Sequence, residues 1–444
     1  MAKRNKPRAT DAPPTDPMNV LVLGAGGREH ALGWKLRQSK RCKKLYFAPG
    51  NGGTAGLGTN VDLKIEPVDT KNVDAIDYFC RHHDIGLIVI GPEDPLCGGL
   101  ADRLQAPGRF IFGPTKDAAR LEGDKAFAKD LMRAASIPTA DARTFTDFGR
   151  AKAYVEARET PVVVKAAGLA KGKGAIVTSS TEEAVDALRR CLVDREFGDE
   201  GETVVVEERL IGQEVSILAL VDGRNLFLLD PSQDHKPIGE GDTGPNTGGM
   251  GVYCPTPLVD DPLLTLIQRE VLVRAVDALK RDGIDFRGVL YAGLMLTAGG
   301  PKNLEFNVRF GDPETQPLMV RLRGDLMEAM LATCSGTLDQ VDLRWDPRVC
   351  CCVVMASGGY PGPYEIGKPI TGLDDAEADP DVTVFHAGTK LDKAGRVVTD
   401  GGRVLAVCAL ADTLKEAQAK ANAACDRIHF DGAQFRRDIG SRVM

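Results

Sequence analysis

The sequence lacks several features that would point to common classes of protein. No window approaches about 20 uninterrupted apolar residues, so we expect no membrane-spanning segment. The eleven cysteines, an odd number, include no C-x-x-C pair, and the six histidines are scattered without metal-ligand spacing. We therefore expect buried, reduced thiols in a cytoplasmic protein instead of disulfides or zinc.

Two catalytic sequence patterns are also missing. The chain contains neither the Walker pattern G-x-x-x-x-G-K-[ST] nor a G-x-S-x-G nucleophile elbow. A net charge of -7 argues against a nucleic-acid surface and favours small-molecule partners. We expect a monomer, with a weak dimer as the alternative, and neither nucleic acid nor membrane as a partner.

The length of 444 residues predicts roughly three domains. Residues 1–17 are basic and proline-rich, and we interpret them as a disordered tail. An organellar address is the alternative, but the segment is short and has no apolar face.

Residues 18–118 alternate short apolar runs with helical stretches, which is typical of parallel βαβ units. The first run ends in a glycine-rich turn at residues 24–30 that leads into a helix. Backbone N–H groups at such a turn can face an anion. A turn needed only for packing is the alternative.

A dinucleotide site is the tempting interpretation of this turn. However, the third glycine of G-x-G-x-x-G would fall on Glu29, and the next strand ends at residues 48–53 without the acidic residue that binds a ribose. A phosphorylated sugar fits the turn better than a dinucleotide. A dinucleotide-dependent oxidoreductase remains a rival from another class.

Two further segments suggest phosphate binding. Lys125 lies in the first turn of a predicted helix, where a cation is unfavourable unless an anion offsets it. The second segment joins two predicted strands and contains three glycines and two lysines: Gly168, Lys171, Gly172, Lys173 and Gly174. We interpret it as a flexible hairpin lid over phosphates, and a plain exposed hairpin is the alternative.

The most informative stretch is residues 302–314. Successive side chains of a strand face opposite ways, so Glu305, Asn307 and Arg309 share one face, while residues 304, 306, 308 and 310 pack behind. A carboxylate, an amide and a guanidinium in one row suit a magnesium-bound polyphosphate. A half-buried strand with a solvated polar face is the alternative.

A glycine-rich polar segment at residues 239–251 predicts a long structureless loop of the kind that forms active-site lids. His235, just before it, is either a general base or an ordinary hydrogen-bonded histidine. Residues from about 340 to 444 show no chemical constellation, and we interpret them as structural.

Four motifs, at residues 26–31, 232–236, 242–251 and 309–316, resemble the phosphoribosylamine–glycine ligase family of the ATP-grasp superfamily. The resemblance covers residues 18–444. It implies a multi-domain α/β fold with a Rossmann-like domain (18–118), an ATP-grasp α+β domain (119–340) and a small C-terminal α+β domain (341–444). A mobile lid subdomain is expected at about 139–207, and the C-terminal domain completes the cleft.

The resemblance also implies that ATP, glycine and 5-phosphoribosylamine become glycinamide ribonucleotide, ADP and phosphate in purine synthesis, through glycyl phosphate. Glu305 and Asn307 would bind Mg²⁺ or Mn²⁺. The residues implied to bind ATP are Lys125, Lys165, Gly168, Gly172, Gly174, Glu207, Leu210 and Glu214. The residues implied to act in catalysis are Arg309, Lys171, Lys173 and Asp312. Those implied to bind substrate are Gly26, Gly27, Arg28, Glu29, Asn51, Gly52, Pro92, Glu93, Asp234, Lys236, Gly248 and Gly249.

Two segments depart from the family pattern. The lid usually reads S-D-G-L-A-x-G-K-G, but here Ala166 and Ala167 replace the polar pair and Lys171 is added. Many ATP-grasp enzymes carry another metal-binding carboxylate on the preceding strand, and residues 291–297 contain none. Another ATP-grasp carboxylate–amine ligase, or a non-catalytic nucleotide-binding protein, is the remaining alternative. Arg309 could serve either a phosphate or the glycine carboxylate.

Overall fold

The first part of the chain is a parallel five-stranded sheet with helices around it. The computed structural model describes residues 15–170 and 174–444, so most of the predicted tail lies outside the described residues. The strands are β1 (Met18–Gly24), β2 (Cys42–Pro49), β3 (Thr59–Asn60), β4 (Ile85–Ile90) and β5 (Phe110–Phe112). The helices are α1 (Gly27–Leu36), α2 (Thr70–His82), α3 (Glu93–Cys97), α4 (Leu100–Arg103) and α5 (Lys116–Gly123). The strand order β3-β2-β1-β4-β5, with every pair parallel, confirms the predicted Rossmann-like sheet.

A small antiparallel sheet follows. Its strands are β6 (Ala142–Phe145), β7 (Val162–Ala166), β8 (Ala175–Val177) and β9 (Val204–Glu208), in the order β6-β9-β7-β8. Helix α6 (Lys125–Ala134) precedes it, and α7 (Phe148–Glu156) and α8 (Thr181–Leu192) pack on its apolar face. Strands β7 and β8 pair antiparallel, which confirms the predicted hairpin. Its tip, with the predicted Lys171, Gly172 and Lys173, lies outside the described residues, and movement as a lid stays a prediction.

The central sheet has the order β11-β10-β16-β17. The strands from this part of the chain are β10 (Gln213–Asp222), β11 (Leu226–Leu228), β12 (Gln233–Asp234), β13 (Pro237–Gly239), β14 (Thr243–Asn246), β15 (Gly251–Cys254), β16 (Arg287–Thr297) and β17 (Gly300–Asn307). The helices are α9 (Asp261–Ile267), α10 (Arg274–Arg281), α11 (Thr315–Arg321) and α12 (Leu326–Ser335), and a π-helical segment, Gln268–Val273, joins α9 to α10.

The prediction of a structureless loop at residues 239–251 is wrong. Strands β13 and β14 form a hairpin there, and β15 begins at Gly251. The sequence did not indicate these strands, because β14 reads Thr-Gly-Pro-Asn, a composition typical of turns.

The C-terminal part shares a five-stranded sheet with strands from earlier in the chain and adds helices to it. Its strands are β18 (Val349–Ala356), β19 (Val382–His386), β20 (Thr389–Leu391), β21 (Val397–Thr399) and β22 (Arg403–Ala411), and its helices are α13 (Leu373–Ala376) and α14 (Leu414–Cys425). The sheet order is β12-β15-β18-β22-β19, so two strands come from the chain before residue 341. The predicted domain boundaries stay predictions, but this sheet ties the glycine-rich segment directly to the C-terminal part.

All eleven cysteines lie in described residues and are free, and ten are buried. This agrees with the expected reduced thiols. Within residues 15–170 and 174–444, no helix is long and apolar enough to cross a membrane.

Two buried histidines join α1 to β19. The backbone N–H of His386 donates to Nδ1 of His30 at 2.8 Å, and Nδ1 of His386 lies 3.1 Å from Oγ1 of Thr389. Burial, aided by the charge of His386, lowers the pKa of His30 to about 3, and burial lowers the pKa of His386 to about 4. Both imidazoles are therefore neutral in the folded protein.

These histidines predict a loss of stability in mild acid. The unfolded chain binds protons below its ordinary histidine pKa near 6.5 and the folded chain does not, so stability is complete above that value and falls as the pH drops. At pH 5 we expect a loss of about 2 kcal/mol for each imidazole. Urea unfolding between pH 7.5 and 5 should show a shallower pH dependence for His30→Asn, which retains an acceptor, than for the exposed-site control His82→Asn. Equal slopes for the two variants would contradict the assignment.

Candidate active site

A cleft of about 680 Å³ opens where the three parts of the chain meet. Most of the predicted site residues line it: Arg28, Glu93, Lys125, Lys165, Gly174, Glu207, Leu210, Glu214, Asp234, Lys236, Gly248, Glu305, Asn307, Arg309 and Asp312. Its lining does not include Gly26, Gly27, Glu29, Asn51, Gly52, Pro92, Gly168 or Gly249. The sequence thus predicted one site from segments that are far apart in the chain.

The predicted polar row lies on the cleft side of β17. Glu305 and Asn307 belong to the strand, and Arg309 follows just beyond its end. Behind them Phe306 and Val308 are buried, as predicted.

Leu304 does not pack behind the row as predicted. It is half-buried and lines the cleft beside Glu305. The reason is a break in the regular pairing of β16 and β17 between Gly293 and Leu294, where a β-bulge upsets the strict alternation of side chains.

Glu305 lies in a strongly positive environment. Among the residues that the structure describes, none donates a hydrogen bond to its carboxylate. Burial acts to raise the pKa of Glu305, but Lys236, Lys165 and Lys125 outweigh it and lower that pKa. The carboxylate is therefore ionised and its oxygens are open towards the cleft.

Two predicted phosphate-binding lysines lie close to this carboxylate. Lys125 is the first residue of α6, behind the N-cap Asp124, and its Nζ donates to the carbonyl of Gly168 at 2.7 Å. Nζ of Lys165 donates to the carbonyl of Leu304 at 3.2 Å. Both ammonium groups therefore stand at the base of the glycine-rich hairpin.

The described part of this hairpin shows why glycine is needed. A Cβ added to Gly168 would lie 1.5 Å from Oε2 of Glu200, and the N–H of Leu169 donates to the same carboxylate at 3.0 Å. At the other end, a Cβ on Gly174 would come within 2.5 Å of the Ala170 side chain. An anionic group thus already faces the backbone of this loop.

A buried ion-pair cluster closes one end of the cleft. Oε1 of Glu207 lies 3.2 Å from Nζ of Lys129, and Oε2 lies 3.1 Å from Nζ of Lys165. All three side chains are at most 8% exposed. Burial lowers the pKa of Lys129 to about 8, against the opposing effect of Glu207. The sequence did not indicate Lys129, because a lysine inside an amphipathic helix is normally exposed.

The connection between β9 and β10 leaves polar backbone open at this end. No described residue accepts a hydrogen bond from the N–H of Leu210, which lines the cleft. Beyond it, Glu214 pairs with Lys236 at 2.9 Å. The predicted ribose ligand and a predicted substrate ligand are therefore in direct contact.

At the N-terminus of α1, carboxylates occupy the backbone donors that we expected to face a phosphate. The N–H of Gly26 donates to Glu29 at 2.6 Å, and the N–H of Arg28 donates to Asp312 at 3.2 Å. The Arg28 guanidinium donates to Glu29 at 2.5 Å and to the carbonyl of Phe310 at 3.1 Å. A sugar phosphate at this turn must compete with Asp312 for the Arg28 N–H.

The predicted substrate residues Asn51 and Gly52 form hydrogen bonds to other parts of the protein. The Asn51 amide donates to the carbonyls of Ala25 and His386, and its Oδ1 accepts from the N–H groups of Gly53 and Thr54. The N–H of Gly52 donates to the carbonyl of Thr389. Asn51 is 5% exposed, so it holds the turn against the C-terminal part and has no free polar atom for a ligand.

Two carboxylates hold Arg309. Its Nε donates to Glu93 at 3.0 Å, and its Nη2 lies 3.0 Å from Glu122. Burial acts to raise the pKa of Glu93, but Arg309 and Arg28 lower it to about 2, whereas burial raises the pKa of Glu122 to about 7. The sequence indicated Glu93, which follows Pro92 at the start of α3, but not Glu122.

Asp234, Gly248 and Gly249 lie together on the C-terminal side of the cleft. Gly249 has φ +115, and a Cβ there would lie 2.7 Å from the Asp234 carboxylate. Burial, together with the charge of Glu314, raises the pKa of Asp234. Arg403, from the part of the chain that we interpreted as structural, also lines this side.

His235 is a structural residue. Its Nε2 accepts the backbone N–H of Gly440 at 3.0 Å, and burial lowers its pKa to about 4. The interpretation as an ordinary hydrogen-bonded histidine is therefore favoured over a general base.

The residues of the cleft fit a divalent metal ion that is shared with phosphates. Glu305 and Asn307 supply a carboxylate and an amide oxygen on one strand face, and the carboxylate has no other partner among the described residues. Within the described ranges, no group of three His, Cys, Asp or Glu side chains could hold a metal alone. A hard cation that takes two protein oxygens and completes its shell with phosphate and water suits this set.

Three family models match consecutive parts of the chain. They describe phosphoribosylglycinamide synthetase and match with its N domain at residues 18–122, its ATP-grasp (A) domain at 123–315 and its C domain at 350–442. A phosphoribosylamine–glycine ligase of Rhodopirellula baltica is 50% identical over 434 residues, which cover 96% of this chain and 98% of the relative. The chain belongs to the phosphoribosylglycinamide synthetase family.

Solved structures agree with this family. The crystal structure of phosphoribosylamine–glycine ligase from Thermotoga maritima has a TM-score of 0.82 and 34% identity, covering 95% of this chain and all of that one. The biotin carboxylase domain of a Hydrogenobacter thermophilus 2-oxoglutarate carboxylase, solved with MgADP, has a TM-score of 0.70 at 16% identity, covering 95% and 92%. The second likeness shows the fold alone. The family models and the Thermotoga maritima structure confirm the predicted fold class and superfamily of this phosphoribosylglycinamide synthetase family member. ATP-grasp domains bind ATP together with a divalent metal ion.

Proposed function

We propose that the chain is an ATP-dependent ligase that joins glycine to 5-phosphoribosylamine. The products are N1-(5-phospho-D-ribosyl)glycinamide, ADP and phosphate, and the reaction belongs to purine biosynthesis in the cytoplasm. The observation that carries the proposal is the cleft in which Glu305 and Asn307 face Lys125 and Lys165. The 50% sequence identity to a phosphoribosylamine–glycine ligase supports it.

The chemistry requires activation of a carboxylate, because an amine cannot displace its oxygen at neutral pH. A glycine carboxylate oxygen attacks the terminal phosphorus of ATP, the bond to ADP breaks, and glycyl phosphate forms. The amine nitrogen then attacks the acyl carbon, phosphate leaves, and the nitrogen loses a proton. No protein nucleophile is needed, so positioning and charge neutralisation carry the catalysis.

We assign the charge neutralisation to the lysines and to Arg309. Lys125 and Lys165 would hold the phosphates of ATP, with Glu207 and Leu210 at the adenine and Glu214 at the ribose. Mg²⁺ or Mn²⁺ on Glu305 and Asn307 would neutralise developing phosphate charge. Since Arg309 is already held by Glu93 and Glu122, its guanidinium is preorganised towards the cleft and does not swing into place.

The proposal is tested by measuring phosphate release from ATP with the purified chain. We expect release that requires glycine and phosphoribosylamine together, with glycinamide ribonucleotide detected by mass spectrometry. Release with another carboxylic acid or amine, and none with this pair, would favour a different ATP-grasp ligase. An enzyme that binds NADH and releases no phosphate would contradict the proposal.

We also expect the α1 turn to bind the phosphorylated sugar. A Cβ on Gly27 would lie 2.6 Å from Nε2 of Gln316, which donates to Asp312 at 2.9 Å. Gly27→Val should therefore raise the KM for phosphoribosylamine at least about tenfold, the equivalent of losing one good contact, and leave the KM for ATP within about twofold. Gly56→Val is the control, because no atom lies within 4 Å of a Cβ added there. Equal losses for both substrates would count against a sugar-phosphate site at this turn.

A further inference from the structure

The side chain of Arg403 enters the cleft from the first residue of β22. Its Nη1 donates to the carbonyl of Gly248 and to the carbonyl of Asp312, each at 2.7 Å. Its Nη2 lies 3.5 Å from the Asp312 carboxylate. No other described residue donates to these two carbonyls, so one guanidinium holds two segments that are separated by more than sixty residues of sequence.

A second C-terminal side chain holds the other polar group of Gly248. The N–H of Gly248 donates to Oη of Tyr360 at 3.2 Å. Gly402 leaves room for this tyrosine, because a Cβ on Gly402 would lie 2.3 Å from the Tyr360 ring. Both backbone polar groups of Gly248 are thus bound by the C-terminal part of the chain.

Gly248 and the guanidinium are in close contact. A Cβ on Gly248 would lie 3.1 Å from Cζ of Arg403 and 3.3 Å from its Nη1. The φ of Gly248 is outside the left-handed region, so an alanine fits the backbone and only its contact with Arg403 is tight. Gly249 differs, since its φ of +115 would strain any other residue.

Asp312 extends this contact to the first part of the chain. Its Oδ2 accepts from the N–H of Arg28 and its Oδ1 accepts from Gln316. The Arg403 side chain is 22% exposed and Asp312 is 15% exposed, so both groups face the cleft at its wall. Arg403 therefore ties the 247–249 turn to Asp312, which itself contacts the α1 turn.

We propose that Arg403 is a positioning residue for the amine-substrate half of the site. It holds the 247–249 turn and Asp312 in the arrangement that phosphoribosylamine meets, so the C-terminal part contributes directly to substrate affinity. This inference rests on the proposed ligase function. The nucleotide half lies on other elements, β7, β9 and β17, and does not depend on Arg403.

The test compares four variants: Arg403→Met, Arg403→Lys, Gly248→Ala and the double variant Arg403→Met/Gly248→Ala. Arg396→Met is the matched control, because Arg396 is an exposed arginine of the same part that pairs with Asp392 four residues away. The measurements are the KM for each of the three substrates, kcat, ADP affinity by calorimetry and the thermal midpoint.

We expect Arg403→Met and Gly248→Ala each to raise the KM for phosphoribosylamine about tenfold, with ADP affinity within twofold of the wild type. The KM of the double variant for phosphoribosylamine should be no higher than that of the more affected single variant, because both changes disrupt the same contact between Arg403 and Gly248. Arg403→Lys should recover part of the loss, because an ammonium can bond one of the two carbonyls. If Arg403→Met fails to fold, the KM values of Gly248→Ala and Arg403→Lys for phosphoribosylamine test the inference.

The inference is overturned if the variants keep the wild-type KM for phosphoribosylamine, if the two changes add fully, or if the affinities for all ligands fall together with the thermal midpoint. Phosphate release by the wild type distinguishes a failure of the Arg403 inference from a failure of the proposed ligase function. If the wild type shows no release of phosphate that depends on glycine and phosphoribosylamine, the ligase function itself fails. If it does, the variants test Arg403 alone.

Discussion

Glu305→Ala is expected to abolish ligation while the protein stays folded. We expect phosphate release to fall at least about 10³-fold, or about 4 kcal/mol of transition-state stabilisation, because Glu305 is the one carboxylate of β17 that we propose as a metal ligand. The thermal midpoint should change by no more than about 3 °C, since the side chain is half-buried and makes no hydrogen bond to a described residue.

The reason for the large effect is that Glu305 performs two tasks. In our proposal it supplies a hard oxygen for the metal, and it is the negative charge that faces Lys125, Lys165 and Lys236. Glu305→Gln separates these tasks, because it keeps the shape and one oxygen but removes the charge. We expect Glu305→Gln to be nearly as inactive as Glu305→Ala.

Mn²⁺ binding gives a readout that is independent of turnover. In the presence of a non-hydrolysable ATP analogue, electron paramagnetic resonance should show tight Mn²⁺ binding to the wild type and at least about tenfold weaker binding to Glu305→Ala. Glu328→Ala, which removes an acidic side chain from the first turn of α12, is the control. A well-folded Glu305→Ala protein with near-normal ligase activity would refute the metal assignment.

The parts of the site that could be predicted are those encoded by local patterns. The row on β17 follows from the alternation of a strand, and Lys125 from the rarity of a cation at a helix N-terminus. The parallel first sheet follows from the spacing of apolar runs. The pattern failed at Leu304, because a bulge in pairing with β16 is a property of two strands and neither strand encodes it alone.

The parts that could not be predicted depend on contacts between distant residues. Arg403 reaches Gly248 across 155 residues, and the carboxylate of Glu122 accepts the N–H of Val308 across 186. Nothing near Arg403 in the sequence distinguishes it from a surface arginine. The motif also gave no sign of the contacts of Asn51, whose side chain hydrogen-bonds to Ala25, His386, Gly53 and Thr54 of the protein itself.

The second large effect is expected at Glu207, the buried carboxylate between Lys129 and Lys165. Glu207→Gln leaves two buried ammonium groups without their counter-charge, and breaking a buried ion pair in this way costs about 3–5 kcal/mol. We expect the thermal midpoint to fall by roughly 5–10 °C and ATP affinity to fall at least about tenfold, because Lys165 and the end of the cleft that we propose for adenine lose their fixed positions.

The pH dependence of this loss identifies its cause. Burial already lowers the pKa of Lys129 to about 8, and without Glu207 it should fall further. The unfolded chain then binds more protons than the folded chain, so the stability of Glu207→Gln should rise with pH and its deficit should shrink between pH 7 and pH 10. Glu208→Gln is the matched control on the same strand, where the ion pair with Lys302 is 31% exposed on both sides and should contribute less than about 1 kcal/mol. Equal, pH-independent losses for the two variants would show that the buried lysines do not depend on Glu207.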